Sequence, residues 1–279
     1  MKLFPIETSN LKLDGGAMFG VVPKVLWQKQ YPADENNLCN WAMRCLLIED
    51  DDRLILIDNG IGDKQDQNFL KHYYLNGDDT LENSLARHGF SPEDITDMIL
   101  THLHFDHCGG SIKHNKDRSG FEPAFPNATY WVSRQQYEWA VDPNHRESAS
   151  FLKENIFPIA ESGNLKLIEE EGEIISNISV RIFNGHTEGQ IIPLINYHGR
   201  TVAFMADLLP ASTHIPMPWI MAYDTRPLVT LDDKTRFYEE AVPGDFVLFF
   251  EHDIYNECCT LQQTEKGVRV KETFPLSEI

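Results

Sequence analysis

The stretch Thr101-His102-Leu103-His104-Phe105-Asp106-His107-Cys108-Gly109-Gly110 follows directly on the short apolar run Asp-Met-Ile-Leu-Thr at 97–101, which reads as a buried strand. Four side chains able to ligate a metal fall within six residues. In an extended segment, residues two apart project to the same side, so His102, His104 and Asp106 converge. A turn over Phe105 to Gly109 brings in His107. Gly109 and Gly110 let the backbone turn away tightly and begin a helix. The chain holds 11 histidines in 279 residues, so three of them in one six-residue surface loop is not expected by chance. A dense His/Asp cluster of this kind points to metal binding.

Three further residues repeat the pattern. His186 follows the predicted strand of ISVRIFNGH, flanked by Gly185 and Gly189; Asp207 ends TVAFMAD; His252 ends FVLFFEHD. Each sits where a buried strand gives way to a loop, a place from which side chains reach a common site. Alone, each is equally well a turn-capping Asp or a hydrogen-bonded core His. Cys108 reads as a small buried hydrophobe. His72, His88, His114 and His145 lie in polar or helical segments and read as surface residues.

Around these points the pattern alternates strands and helices. Cys45–Glu49 and Arg53–Asp58 read as strands joined by the acidic turn Asp50–Asp52. Residues 65–75, 81–88, 134–141 and 231–242 read as helices. Ser91 caps a short turn begun by Pro92. ATYWVS, IIPLINYHG and RTVAFMADL read as strands, and the tail from Cys259 as a hairpin. No linker or repeat divides the chain, so one α/β domain spanning 1–279 is expected.

Hydrophobic residues make up 42% and charged residues 24%, ordinary for a globular protein, but the net charge is −19. Such acidity repels phosphate backbones and excludes nucleic acid as a natural partner. Part of it is neutralised if two dications occupy the site. No 18-residue apolar run predicts a membrane helix, and the first 16 residues predict no secretory leader. Five cysteines, an odd number with no CxxC pair, argue for a reducing, cytoplasmic setting.

HLHFDH at 102–107, Gly185-His186, Ala206-Asp207 and Glu251-His252, in this order, resemble the metallo-β-lactamase superfamily over essentially the whole chain. The resemblance implies a four-layer αββα sandwich. It implies that His102, His104 and His186 hold one metal, that Asp106, His107 and His252 hold another, and that Asp207 bridges them. Asp58 matches a structural carboxylate behind the first metal loop. The bridging residue is Asp, not the Cys of the true β-lactamases, which argues against β-lactam hydrolysis. Two dications about 3.5–4 Å apart lower the pKa of bound water from about 15.7 to about 7 and polarise an electrophile. The N and O donors suit zinc first, with iron, manganese or cobalt as alternatives.

DGGAMFGVVPKVLW (14–27) and PWIMAYDTRP (218–227) are similar to the branch that holds N-acyl homoserine lactone hydrolases (quorum-quenching lactonases) and methyl parathion hydrolases. By that resemblance Tyr223 is an oxyanion donor, and Asp106 passes a proton to the leaving alkoxide. Met18, Phe19, Val21, Val22, Trp219 and Met221 are candidates to line an acyl pocket, with ordinary core or a dimer contact as the competing reading. A homodimer is implied by the resemblance alone. The expected function, implied by the resemblance, is a dinuclear metal-dependent lactonase that hydrolyses the ester bond of N-acyl homoserine lactones, small-molecule substrates. The alternative is a hydrolase of organophosphate triesters, aryl esters or thioesters on the same scaffold. A glutathione thioesterase lacks the basic cluster it would need in 231–279. A di-iron oxidoreductase would carry a carboxylate at His104, and a non-catalytic metal binder would tolerate losses among the ligands.

Overall fold

Strand-forming and helix-forming stretches follow one another along the chain, and the computed structural model, which describes residues 1–279, resolves them into fifteen strands and eight α-helices. The strands are β1 (Lys2–Asp14), β2 (Leu38–Asp50), β3 (Arg53–Ile57), β4 (Asp97–Ile99), β5 (Ile112–His114), β6 (Phe121–Pro123), β7 (Thr129–Ser133), β8 (Leu165–Ile168), β9 (Gly172–Ile175), β10 (Ile178–Phe183), β11 (Gln190–Tyr197), β12 (Arg200–Phe204), β13 (Val247–Phe249), β14 (Cys258–Thr264) and β15 (Gly267–Phe274). The helices are α1 (Gly15–Phe19), α2 (Lys24–Trp27), α3 (Gln67–Leu70), α4 (Leu81–Arg87), α5 (Phe105–Cys108), α6 (Arg134–Val141), α7 (Lys153–Glu161) and α8 (Pro227–Ala241). The α/β class expected from the sequence is found. None of the helices is long and apolar enough to cross a membrane. Contacts cluster into two compact units, Met1–Asn10 with Met43–Glu170, and Leu11–Ala42 with Glu171–Ile279.

In the first unit the sheet order is β1-β2-β3-β4-β7-β8. The acidic turn joins β2 and β3 as an antiparallel hairpin, with Asp50 opposite Arg53 and Asp51 at φ 52°. From β3 to β8 the pairing is parallel, which explains the continuous apolar runs: parallel strands are covered on both faces. Leu54, Leu56, Met98, Leu100, Tyr130 and Val132 meet Ile156 and Ile159 of α7 in one core cluster. Ile57 registers with Ile99, so the chain leaves β3 and β4 side by side, at Asp58 and at Leu100-Thr101.

The second sheet runs β15-β14-β13-β12-β11-β10-β9. Only β12 and β13 pair in parallel, with Phe204 opposite Phe249, and α8 provides the crossover between them. Antiparallel steps on either side of β11 make β10 run with β12. Strands β10, β12 and β13 therefore end at the same side of their sheet, at Phe183, Phe204 and Phe249.

Several sequence expectations are corrected here. Residues 65–75 form a single helical turn, α3, capped by Asp66; Phe69 and Tyr73 pack on Phe105, but Tyr74 takes φ 48°, so the helix has no path to continue. Strand β1 escaped notice because Pro5 and Asn10 interrupt its alternation; it lies at the sheet edge, where Pro costs no ladder bond. Helix α7 was hidden by Pro158 within it. Helix α8 begins at Pro227, earlier than the apolar periodicity suggested. His114 is half-buried and stacked on Phe121 rather than fully on the surface.

Candidate metal centre

Four strands, ending at Ile99, Phe183, Phe204 and Phe249, each place a ligand candidate three residues beyond the last paired residue: His102, His186, Asp207 and His252. A short loop entry of fixed length after a rigid strand positions a side chain far better than a long loop does.

In the first unit, His102 and His104 bring their rings to 4.6 Å between centroids, and His102 lies 3.9 Å from His107. His102 and His104 come together as expected for residues two apart, whereas Asp106 lies on α5 and turns its Oδ2 toward His107 Nε2 at 4.0 Å, because the helix replaces the extended backbone there. His107 joins through α5, for which His104 is the N-cap residue. Asp58, fully buried at φ 55°, accepts hydrogen bonds from Thr101 N (2.8 Å), Thr101 Oγ1 (2.6 Å) and His107 Nδ1 (3.1 Å). A carboxylate only accepts, so the His107 proton sits on Nδ1 and Nε2 presents its lone pair. Thr101 has given its hydrogen to Asp58, so Oγ1 accepts from His102 Nδ1 at 3.1 Å, which likewise leaves Nε2 as the donor atom of His102. His104 turns Nε2 toward Glu147 Oε1 at 3.5 Å. Glu147 is itself held by Trp139 Nε1 and Asn144 Nδ2, both at 2.7 Å. Gln136 Oε1 anchors the loop at Leu103 N. Gly109 and Gly110 serve close approach: a Cβ on Gly109 would stand 2.2 Å from Ile61 O, and one on Gly110 2.4 Å from Asn59 O. Cys108 points inward, Sγ on Leu103 O at 3.4 Å, and burial pushes its thiol up to about 12, the behaviour of a packing residue.

In the second unit Asp207 stands between two imidazoles. Its Oδ2 is 3.0 Å from His186 Nε2 and its Oδ1 is 3.3 Å from His252 Nε2. The preceding Ala206 takes φ 40°, a conformation rarely held by a residue with a side chain, and Gln190 Oε1 accepts from Asp207 N. His252 donates from Nδ1 to Ala42 O at 2.7 Å, and His186 from Nδ1 to Asp224 Oδ1 at 3.0 Å. Burial acts to lower the His186 pKa, but Asp207 and Asp224 on its two nitrogens outweigh it and push it up to about 10.

Four of the histidines, His102, His107, His186 and His252, thus have Nδ1 hydrogen-bonded to the scaffold, and their remaining donor is Nε2; His104 instead turns Nε2 to the Glu147 carboxylate at 3.5 Å. Metal-ligating histidines are oriented in this way, with the far nitrogen donating to a carboxylate, hydroxyl or carbonyl. The donor set fits divalent metal ions. Glu147 and Asp224 were not singled out from sequence, although Asp224 directly follows Tyr223.

A family model described as the metallo-beta-lactamase superfamily matches residues 44–246. The chain belongs to the metallo-β-lactamase superfamily. Superfamily members named N-acyl homoserine lactonase resemble it at modest identity: that of Bacillus cereus is 27% identical over 247 residues, 84% of this chain and 87% of its own length. A probable metal-dependent hydrolase from Staphylococcus aureus superposes with a TM-score of 0.89 at 28% identity, covering 98% of this chain and 96% of its own. The dizinc quorum-quenching lactonase AidC, in complex with a product, superposes at 0.79 with 22% identity, covering 98% and 95%, a likeness of fold. As a superfamily member the chain has the metallo-β-lactamase fold and is a hydrolase.

The substrate-side residues are distributed unevenly. Phe19 is fully buried, its ring stacked with Trp27 at 5.0 Å and with His214 at 4.9 Å, with Trp219 edge-on. Met18 and Met221 are buried, Trp219 and Val22 half-buried, and Val21 exposed. Tyr223 is 42% exposed, open to a ligand. Ala222 N donates to Ala17 O at 2.8 Å, so the two segments singled out in the sequence do meet.

Proposed function

We propose that the two units form one hydrolase domain whose seven ligands hold two divalent metal ions, and that this centre opens the ring of N-acyl homoserine lactones. His102, His104 and His186 take one ion, Asp106, His107 and His252 the other, and Asp207 bridges. The observation that carries the reading is the Asp207 carboxylate, whose two oxygens face two different imidazoles, as a bridging ligand requires. When bound, the two ions supply Lewis acidity that makes water a nucleophile at neutral pH and polarises the ester carbonyl.

The protein's own groups do the rest. Asp58, Thr101, Glu147, Asp224 and the Ala42 carbonyl hold the rings in register. Tyr223 donates its phenol hydrogen to the carbonyl oxygen as charge develops there. Asp106 would take up the proton released by the attacking water and pass it to the departing alkoxide, leaving an N-acyl homoserine. Val21 and Trp219 offer apolar surface to the acyl chain. Asp at 207, in place of a Cys, supports an ester substrate over a β-lactam. Zinc is the metal of choice for these N and O donors, with iron, manganese and cobalt next. A homodimer belongs to the reading by resemblance. The cytoplasmic setting is supported by five buried cysteines, none of them in a disulfide.

The test is proton release on ring opening of a short-chain and a long-chain N-acyl homoserine lactone, with chelation and zinc add-back. Wild type is compared with Asp207→Ala and Tyr223→Phe. Turnover that chelation and Asp207→Ala abolish, and that Tyr223→Phe lowers, supports the lactonase. A zinc-loaded protein that leaves lactones intact but cleaves an organophosphate triester, aryl ester or thioester replaces the substrate and keeps the centre.

A further inference from the structure

We infer that Lys234 is a positioning residue for the metal centre: its ammonium, enclosed by the carbonyl oxygens of His214, Pro216, Met217 and Trp219, holds the segment that ends in Tyr223 and Asp224. Through Asp224 it sets the ring of His186. The inference rests on the reading above, in which His186 is a metal ligand.

From Met205 to Arg226 the chain between β12 and α8 contains no strand or α-helix, only the 3₁₀ turn Ser212–His214. Buried irregular backbone needs partners for its carbonyls from elsewhere. Lys234, two turns into α8 and with no exposed surface, reaches back into this segment. Its Nζ lies 2.6 Å from His214 O, 3.0 Å from Pro216 O, 3.2 Å from Met217 O and 3.1 Å from Trp219 O. Three N–H groups serve four acceptors, so one hydrogen is shared. A neutral amine, with two hydrogens, leaves more of the cage unserved, so the cage selects the ammonium. Burial acts to draw the Lys234 pKa down, to about 7, while the Asp224 carboxylate acts to keep the proton.

The cage and Asp224 are close in sequence, and little slack separates them. Five residues after Trp219, Asp224 accepts from His186 Nδ1, and Asp224 N makes a turn bond to Met221 O. Thr225 N and Arg226 N then bond to His186 O and Gly185 O, which pins the far end to the exit of β10. Asp224 lies between this pinned end and the cage, with one further tie at Ala222 N to Ala17 O, so a shift of the cage at Trp219 reaches its carboxylate across only five residues. Helix periodicity alone gives a lysine no reason to be here; a buried methionine would fill the same volume without ordering four carbonyls.

The test is zinc affinity by chelator competition on the full chain, for Lys234→Met, Asp224→Asn, the double variant and Asp207→Ala. Lys234→Met is expected to fold and to bind zinc about tenfold more weakly. Asp224→Asn is expected to cost little more on top of it, because both changes release the same ring. Wild-type zinc affinity in Lys234→Met, or losses that multiply in the double variant, overturns the inference. If Lys234→Met does not fold, Lys234→Gln, whose amide still donates to two carbonyls, is read in the same way. If neither folds, hydrogen exchange on wild type decides: amides 220–224 that exchange much faster than those of α8 overturn the inference. An Asp207→Ala variant that keeps full zinc affinity refutes the metal reading itself, whereas loss there with no effect at Lys234 removes only the present inference.

Discussion

His186 Nδ1 lies 3.0 Å from Asp224 Oδ1, across 38 residues of sequence, while its Nε2 faces Asp207. The ring therefore cannot rotate without leaving a buried carboxylate unserved. Removing the outer carboxylate frees it. Asp224→Ala is expected to lower zinc affinity by about 10- to 100-fold in a chelator competition, with Asp224→Asn between that and wild type, since its amide oxygen still accepts the N–H. Unchanged affinity in Asp224→Ala would show that the ring is held by other contacts.

Asp58 plays the corresponding part behind His107 and carries more of the fold. Three protein donors converge on its buried carboxylate. Asp58→Ala strands all three and is expected to cost about 3 kcal/mol or more in urea unfolding. Asp58→Asn keeps one acceptor oxygen, for Thr101 N, and tolerates φ 55°, so it is expected to lose less than Asp58→Ala.

Gly185, one residue before His186, is required by close approach. A Cβ there would stand 2.4 Å from both Cα and N of Thr230 in α8. Gly185→Ala is expected to destabilise by roughly 1–3 kcal/mol and to weaken zinc binding by shifting His186. Gly120→Ala, whose Cβ would meet only Asn115 Nδ2 at 3.5 Å, is the control, expected within about 0.5 kcal/mol of wild type.

His214 gives the fold an acid limit. It is buried, stacked on Phe19, and donates from Nε2 to Met18 O at 2.9 Å; burial lowers its pKa from 6.5 to about 4. Between these values the unfolded chain binds a proton that the folded chain refuses. Stability therefore falls as the pH drops from 6.5 towards 4, by up to roughly 3 kcal/mol. Urea midpoints of wild type and His214→Gln, measured from pH 7 to 4, are expected to draw together as the pH falls. Parallel curves would assign the acid loss to other groups.

Much of this was legible in the residue pattern. Helix α6 begins and ends where the periodicity of 134–141 places it, Ser91 caps its turn through Asp94, and the tail is the hairpin β14–β15. These elements are local: their signals are a cap, a turn or an alternation read within ten residues. Phe19 shows the limit. Its apolar neighbours allow a pocket wall or a core, since periodicity reports that a side chain is covered and not what covers it; a stack of Trp27 and His214 looks the same in sequence as an acyl chain.

The sequence by itself determined which side chains can ligate metal, their order, and their placement just past the ends of strands, because strand, turn and ligand lie within a few residues of one another. Only the tertiary structure decided how those ligands are held. His107 turns to Asp58, His186 to Asp224, and His252 to the carbonyl of Ala42, 210 residues away. Lys234, on a helix where a lysine reads as solvent-facing, is wholly enclosed by four carbonyls. A backbone carbonyl has no residue identity, and a distant carboxylate leaves no local period. Such partners exist only once the chain has closed around them.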